Sequence, residues 1–299
     1  MSQWFITAWR NRRWPGGKPV YAMNLTPSFR IWRKDRKRRQ FLRSGMKPWS
    51  RGYVEHKEHE IARVLAEGSF RADRLPSGYG FRLDERIVEY PWLFSRLPRG
   101  AGTMLDAGSV LNFEFLLDLP TLREKKLHIC TLVPEGECSW ERGISYLFDD
   151  LRRLPYREEW FDWVACLSTI EHVGMDNALI YTHDAADQQA QPRDYLSAVE
   201  ELHRVLKPGG TLFLTFPYGR AMNHGWLQIF DASMVEKVVS TFRPARRTAY
   251  YFLYEAEGWR SSSAEGAAHA TFFDIHHAPG FDPDYASSAR AVCCLELIK

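Results

Sequence analysis

Several acidic and imidazole side chains stand directly after short apolar runs, where a buried strand would deliver them to the edge of a sheet. The first is Asp106, which closes the run Thr103-Met104-Leu105 and is followed by Ala107, Gly108 and Ser109. Strand, acid, glycine turn and a helix starting over Asn112 to Leu119 is the device by which doubly wound α/β sheets hold nucleotides. The glycine lets backbone approach the ligand, and the helix N-terminus offers free N–H groups. A full dinucleotide fingerprint carries two further glycines, and Val110 and Asn112 stand in their places, so an ordinary strand-to-helix turn is the competing reading. Asp149-Asp150 follow the run Ile144 to Phe148, and Glu171-His172 follow Trp160 to Leu167. An imidazole changes charge near neutral pH, which suits it to accept a proton; the plainer role is a hydrogen bond that ties down a strand end. Asp274-Ile275-His276-His277 sets two imidazoles beside an acid. Adjacent histidines on extended chain point oppositely and no third group has ligand spacing, so no metal is expected.

The elements that must carry these groups follow from periodicity. Tyr53 to about Leu65 predicts a helix, residues 70–85 are turn-rich, and Arg86 to Leu97 is an apolar lead-in to the first strand. Leu127–Val133, Ile144–Phe148 and Trp160–Leu167 predict strands two to four, the last nearly continuous in apolar residues, as strands buried on both faces are. Asp194–Leu206 is an amphipathic helix stopped by Pro208-Gly209-Gly210, and Thr211–Phe216 is a fifth strand. Asp231–Phe242 predicts a helix, Ala249–Tyr254 and Ala291–Ile298 the last strands, and Ser261–Ser288 a long loop. Strands alternating with helices imply right-handed crossovers and a parallel sheet.

Composition sets the bounds. The chain has 299 residues, 45% hydrophobic and 26% charged, as expected of a globular protein. No apolar run approaches the ~20 residues that span a bilayer. Arginines and tryptophans interrupt the N-terminus, so no secretory signal is expected there. Five cysteines, an odd number with no C-x-x-C pair, fit reduced thiols in the cytoplasm. Charge is split: residues 1–52 hold 14 Lys or Arg against one acid, Asp35, leaving 26 basic and 36 acidic side chains in the rest. Trp4, Trp9, Trp14, Trp32 and Trp49 are interleaved with the basic residues of this arm. Three partners suit it: an anionic membrane surface, with the protein peripheral to it, nucleic acid, or the protein's own acidic body.

Four segments in order carry a family resemblance: Leu-Asp-Ala-Gly-Ser at 105–109, Asp-Asp-Leu-Arg-Arg-Leu-Pro-Tyr at 149–156, Phe-Asp-Trp-Val-Ala-Cys-Leu-Ser-Thr-Ile-Glu-His-Val-Gly at 161–174, and Leu-Lys-Pro-Gly-Gly-Thr-Leu at 206–212. The chain resembles a class I S-adenosylmethionine-dependent methyltransferase of the small-molecule or glycan type, over roughly residues 85–257 with the last strand included. The resemblance implies a doubly wound, Rossmann-like seven-stranded α/β sheet whose last strand is antiparallel. The division would be a basic arm over 1–52 and a methyltransferase domain over 53–299. S-adenosylmethionine would be the cofactor, lying across the carboxyl ends of strands one to four. Asp106, Ala107, Gly108 and Ser109 would hold its methionine part. Asp150 and the Leu151 amide would meet the adenine, and Leu167 and Ser168 would pass beneath the sulfonium. The acid usual at the end of strand two is displaced, and Glu135 is the nearest substitute for the ribose diol.

The resemblance sets His172 near the transferred methyl as candidate base. Glu89, Tyr90 and Trp92 from one side, and Tyr218, Arg220 and His224 from the other, would line the acceptor pocket. The acceptor implied is a small molecule or glycan precursor, methylated on oxygen or nitrogen; the glycan leaning rests on the turn Pro217-Tyr218-Gly219 and on the basic aromatic arm. Strand four lacks the Asn/Asp-Pro-Pro-aromatic signature of nucleic-acid amino-methyltransferases, which argues against base methylation. An RNA methyltransferase working through the arm and a non-catalytic protein that kept the fold are the rival readings. The oligomeric state is not legible.

Overall fold

The structure is a computed structural model and describes residues 27–179 and 189–299; Trp4, Trp9 and Trp14 of the arm lie outside the described residues. In chain order the elements are α1 Pro27–Arg43, α2 Tyr53–Glu67, α3 Arg86–Arg96, β1 Gly102–Ala107, α4 Glu114–Leu117, α5 Pro120–Arg123, β2 Lys125–Thr131, β3 Ser145–Phe148, β4 Phe161–Leu167, α6 Tyr195–Val205, β5 Leu206–Pro217, β6 Met222–Asn223, β7 Gln228–Ile229, α7 Ala232–Phe242, β8 Arg246–Glu255, β9 Gly258–Ser262, α8 Ala264–Ala267 and β10 Ala291–Ile298. The main sheet runs β3-β2-β1-β4-β5-β10-β8-β9. The first five strands of that order are mutually parallel, and β10 is antiparallel to both β5 and β8. The order reverses between β1 and β4, so a crevice opens at their carboxyl ends, the general ligand position of open α/β sheets.

Side chains alternate across this sheet with period two, so each strand feeds two cores. Leu105, Val164, Cys166, Leu212, Leu214 and Phe216 pack against Val199, Leu202, Val238 and Phe242 of α6 and α7. Met104, Ala165, Leu167, Phe213 and Phe252 face the other way, onto Ile61, Val64, Trp92 and Leu93 of α2 and α3.

Four expectations need correction. The sheet has eight strands rather than seven, because the segment after β8 folds back as β9, held where buried Trp259 donates from Nε1 to the Leu83 carbonyl at 2.9 Å. The supposed loop from Ser261 therefore opens with strand residues and with α8, whose N-cap Ser263 accepts from the Gly266 amide. The helix expected from Asn112 shrinks to the single turns α4 and α5, separated at Pro120. Lastly, the lead-in over 86–97 is the helix α3 despite Pro91. Proline removes the N–H that would bond the Ile87 carbonyl, and the Tyr79 hydroxyl donates to that carbonyl instead, at 2.7 Å.

The described part of the arm rests on the body. Phe41 of α1 is fully buried, edge-on to Tyr53 at 5.8 Å, while Lys34 and Lys37 pair with Glu58 and Glu55 of α2 at 3.0 and 2.5 Å. Trp49 donates from Nε1 to the Ser287 carbonyl at 2.7 Å, which ties the end of the arm to the segment before β10.

Candidate active site

The site begins where β1 ends. Asp106 is fully buried, and its carboxylate accepts from the Val110 and Leu111 amides at 3.1 and 2.8 Å. Gly108, at φ 122°, and Ser109, at φ 58°, turn the chain. A Cβ at Gly108 would stand 2.3 Å from Thr169 Oγ1, so only glycine lets this loop press against the segment after β4. The expected source of free N–H groups is thus altered: two amides of the loop are already capped by Asp106, and helix begins only at Glu114. Ala107 is buried beneath the turn.

Two hydroxyls at these strand ends are buried and lack a hydrogen-bond partner among the described residues: Ser109 Oγ after β1 and Thr131 Oγ1 at the end of β2. Leaving such a group unpaired costs about 1–3 kcal/mol, which a polar ligand would recover. Both at the carboxyl ends of the neighbouring strands β1 and β2, next to a glycine-only turn, they fit a zwitterionic, hydroxyl-rich cofactor of the S-adenosylmethionine type.

The acids farther along have protein partners. Glu135 accepts from Asn112 Nδ2 at 2.6 Å, and Asn112 Oδ1 takes the Tyr146 hydroxyl at 2.8 Å, so Glu135 is tied to the β1 loop. Asp150 receives the Arg152 amide at 2.8 Å and the Arg152 guanidinium, which also reaches Asp194. Burial alone would raise the Asp150 carboxyl, but the hydrogen bonds and charge of Arg152 outweigh that and hold it below its ordinary value. Leu151 is buried in the core beside it.

Under the end of β4 lies a buried charged network. Glu89, fully buried on α3, accepts from Arg86 Nη1 at 2.8 Å, from Ser168 Oγ at 2.6 Å and from Thr215 Oγ1. Arg86 also donates to the Leu167 carbonyl at 3.1 Å. Ser168 has φ 38°, a region costly to a non-glycine residue, and Glu89 helps to fix it there. Tyr90 donates to the Val110 carbonyl at 2.7 Å, so α3 stitches the β1 loop to β4 and β5. Trp92 is corrected: it lies in the core, edge-on to Phe213 at 5.9 Å, because helical rather than extended spacing separates it from Glu89 and Tyr90. Burial pushes the Glu171 carboxyl well above its ordinary value, with the Glu89 charge adding to the shift.

Glu85, half-buried beside this network, has its carboxyl pushed up to about 7, first by burial and then by the charges of Asp84 and Glu89. A folded-state value above the unfolded one means that the folded chain binds the extra proton, so stability falls as pH rises through this range. The thermal midpoint of the protein is expected to drop between pH 5 and pH 8. In Glu85→Gln, which keeps an acceptor for Ser288 Oγ, that slope should flatten; an unchanged slope would contradict the assignment.

His172 ends the turn after β4. Its Nδ1 lies 2.9 Å from the Trp226 carbonyl, which can only accept, so Nδ1 carries the hydrogen and Nε2 the lone pair of the neutral ring. Nε2 stands 3.9 Å from Glu171 Oε1, and the side chain is 22% exposed. The ring lies over Trp226 at 5.3 Å. Trp226 belongs to the ribbon of β6 and β7, whose His224 directs Nδ1 at Asp274 Oδ2, 3.1 Å away. Trp226 Nε1 and His277 Nδ1 converge on the same oxygen at 3.3 and 2.8 Å. Burial would raise the Asp274 carboxyl, but these bonds and the His276 amide hold it below its ordinary value, so it is an anion that fixes Nδ1–H on His224. His224 Nε2 is buried without a partner.

His224, Phe272, Phe273, Asp274, His277 and Asp282 line a cleft of ≈ 500 Å³ beyond the end of β5. A larger hollow of ≈ 630 Å³, between Glu158, Arg204 and Lys299, lies at the opposite ends of the strands, away from the crevice. Of the six residues expected to line the acceptor pocket, only His224 lies in this cleft: Glu89 and Tyr90 are buried in the α3 network and Trp92 in the core. Tyr218 is buried, donates to the Ala264 carbonyl at 3.1 Å and packs on Tyr251; Arg220 is exposed, with its amide bonded to the Ala270 carbonyl. No group of three or more His, Cys, Asp or Glu that could hold a metal occurs among the described residues. Sequence reading missed Asp274 as the hub of this cluster, Trp226 as its link to His172, and Arg86. The spacing of Arg86 and Glu89, three apart, would have marked their pairing once α3 was read as a helix.

Residues 131–214 match the family model described as Methyltransferase domain. Among solved structures the chain is similar to the Burkholderia thailandensis 1,6-didemethyltoxoflavin-N1-methyltransferase with bound 1,6-didemethyltoxoflavin and S-adenosylhomocysteine, at 12% identity and TM-score 0.43 over 83% of this chain and 89% of that one. It is also similar to an S-adenosylmethionine-dependent methyltransferase of Thermotoga maritima, at 15% identity and TM-score 0.43 over 81% and 99%. No curated protein matches the sequence. Residues 131–214 thus match a methyltransferase domain, set in a sheet whose strand order, with β10 inserted antiparallel beside β5, and turn at the switch point are those of the Rossmann-like methyltransferase fold.

Proposed function

We propose that the protein methylates an oxygen or nitrogen of a small molecule or glycan precursor, with His172 as the base that takes the acceptor's proton. The observation that carries this reading is the tautomer of His172: the Trp226 carbonyl holds its Nδ1–H, which leaves the Nε2 lone pair at the end of β4, in a ring packed on the residue that leads to the cleft. S-adenosylmethionine, when bound, supplies an electrophilic methyl on a cationic sulfur. The residues then have two tasks: to hold the acceptor in line and to take its proton.

In this reading Gly108 backbone and Ser109 Oγ receive the methionine part, and Thr131 Oγ1 with Glu135 receives the ribose. Asp150 and the Leu151 amide meet the adenine, while Leu167 and Ser168, fixed by Glu89, pass beneath the sulfur. Asp106 positions the turn rather than the ligand. His224, oriented by Asp274, and Phe272 recognise the acceptor; a cleft of ≈ 500 Å³ suits a small molecule. The five cysteines are unpaired and four are buried, which supports the cytoplasm as the compartment.

The test begins with a screen of sugar precursors and small nucleophiles for release of S-adenosylhomocysteine. With the acceptor found, His172→Gln is expected to lower kcat on the order of 10²–10⁴-fold and to remove the imidazole limb of the pH profile, with cofactor affinity unchanged. Full turnover in this variant would assign His172 a structural role only.

A further inference from the structure

The outer face of α1 takes no part in the site described above, and its composition is unusual for a solvated helix. Its inner face is settled against α2 through Phe41, Lys34 and Lys37. On the rest of the helix, Phe29 is 44% exposed, Ile31 68%, Trp32 49% and Leu42 40%, half of the eight exposed large apolar side chains among the described residues. Single exposed apolar residues are ordinary, but this concentration on one helix marks a surface. Arg33, Arg36, Arg39 and Arg43 are exposed among them; Arg36 lies over the Trp32 ring at 5.4 Å, and the only acid of the helix, Asp35, pairs with Arg39 at 3.1 Å.

We propose that this face docks the protein on an anionic lipid bilayer. Guanidinium groups meet lipid phosphates at about 1 kcal/mol each near the surface. Trp32 and Phe29 suit the boundary between headgroups and acyl chains, where amphipathic rings settle. No helix of the described residues is long and apolar enough to cross a membrane, so the contact is peripheral. Nucleic acid would use the arginines and aromatic faces, but its phosphates offer nothing to Ile31 and Leu42, two exposed aliphatic side chains that a bilayer boundary covers. The proposal does not depend on the methyltransferase reading.

The experiment is sedimentation of the full chain with phosphatidylcholine vesicles, with and without phosphatidylglycerol, alongside binding to a single-stranded RNA oligonucleotide. Binding is expected only to the anionic vesicles and should weaken as salt rises. Removing three charges in Arg36→Gln/Arg39→Gln/Arg43→Gln should lower partitioning on the order of 100-fold. Ile31→Ser/Trp32→Ser should also lower it at unchanged net charge. All five positions are exposed, so the thermal midpoint serves as the control for folding. Equal binding to neutral vesicles, binding that both variants retain, or no vesicle binding would overturn the proposal. So would RNA binding that is lost in the arginine variant and kept in the Ile31→Ser/Trp32→Ser one.

Discussion

Glu89→Ala is expected to destabilise the protein by about 3–5 kcal/mol, the usual cost of removing one partner from a buried ion pair. Glu89 is fully buried and serves three donors at once: Arg86, Ser168 and Thr215. Its removal leaves a buried guanidinium without its counter-charge and two hydroxyls without their acceptor. For a domain of this size the thermal midpoint should fall by roughly 10 °C. Glu89→Gln keeps an acceptor but loses the charge, so its loss should be smaller. Arg86→Met/Glu89→Ala should recover part of the loss, because an apolar replacement of a whole buried pair is often near neutral. Denaturant melts of the three variants check this. A change below about 1 kcal/mol in Glu89→Ala would mean that water or a neighbouring group satisfies Arg86, and that the network does not hold β4 to α3.

Asp106→Ala is expected to weaken binding of S-adenosylmethionine strongly while leaving most of the sheet intact. The carboxylate makes two charge-assisted bonds to loop amides, each worth about 1.5–3 kcal/mol, and these bonds define the shape of residues 108–111. Without them the Gly108 turn loses the bonds that hold Ser109 in place. Affinity should fall by on the order of 100-fold or more, the equivalent of about 2.7 kcal/mol. Asp106→Asn retains one acceptor oxygen and should lose less. Unchanged affinity in the alanine variant would show that the cofactor does not rely on this turn.

The parallel strands were legible because apolar runs, turn residues and the amphipathic helix before Pro208 repeat in the manner of a parallel sheet, whereas their spatial order is set by the fold. Asp106 and Gly108 were legible as a turn for the same local reason. What escaped the sequence depends on partners far along the chain. Residues 86–97 read only as an apolar lead-in, and what lets them stay helical across Pro91 is Tyr79, whose hydroxyl reaches the orphan carbonyl only in the folded chain. Trp92 was grouped with Glu89 and Tyr90 by its position ahead of strand one; on the helix it lies in the core. Asp150 carried no sign in the sequence that Arg152, two residues on, shares its carboxylate. Asp274 stood out only as half of a metal motif, since His224, the imidazole it orients, lies 50 residues upstream.

The central claim is that the crevice between β1 and β4 binds S-adenosylmethionine. Calorimetric titration of the purified full chain with S-adenosylmethionine and with S-adenosylhomocysteine tests it most directly. The expected result is one saturable site for each compound, with micromolar affinity, weakened on the order of 100-fold or more in Asp106→Ala protein that still shows its circular dichroism spectrum. A wild-type protein that is folded by the same spectrum and gives no binding heat with either compound at two temperatures would contradict it.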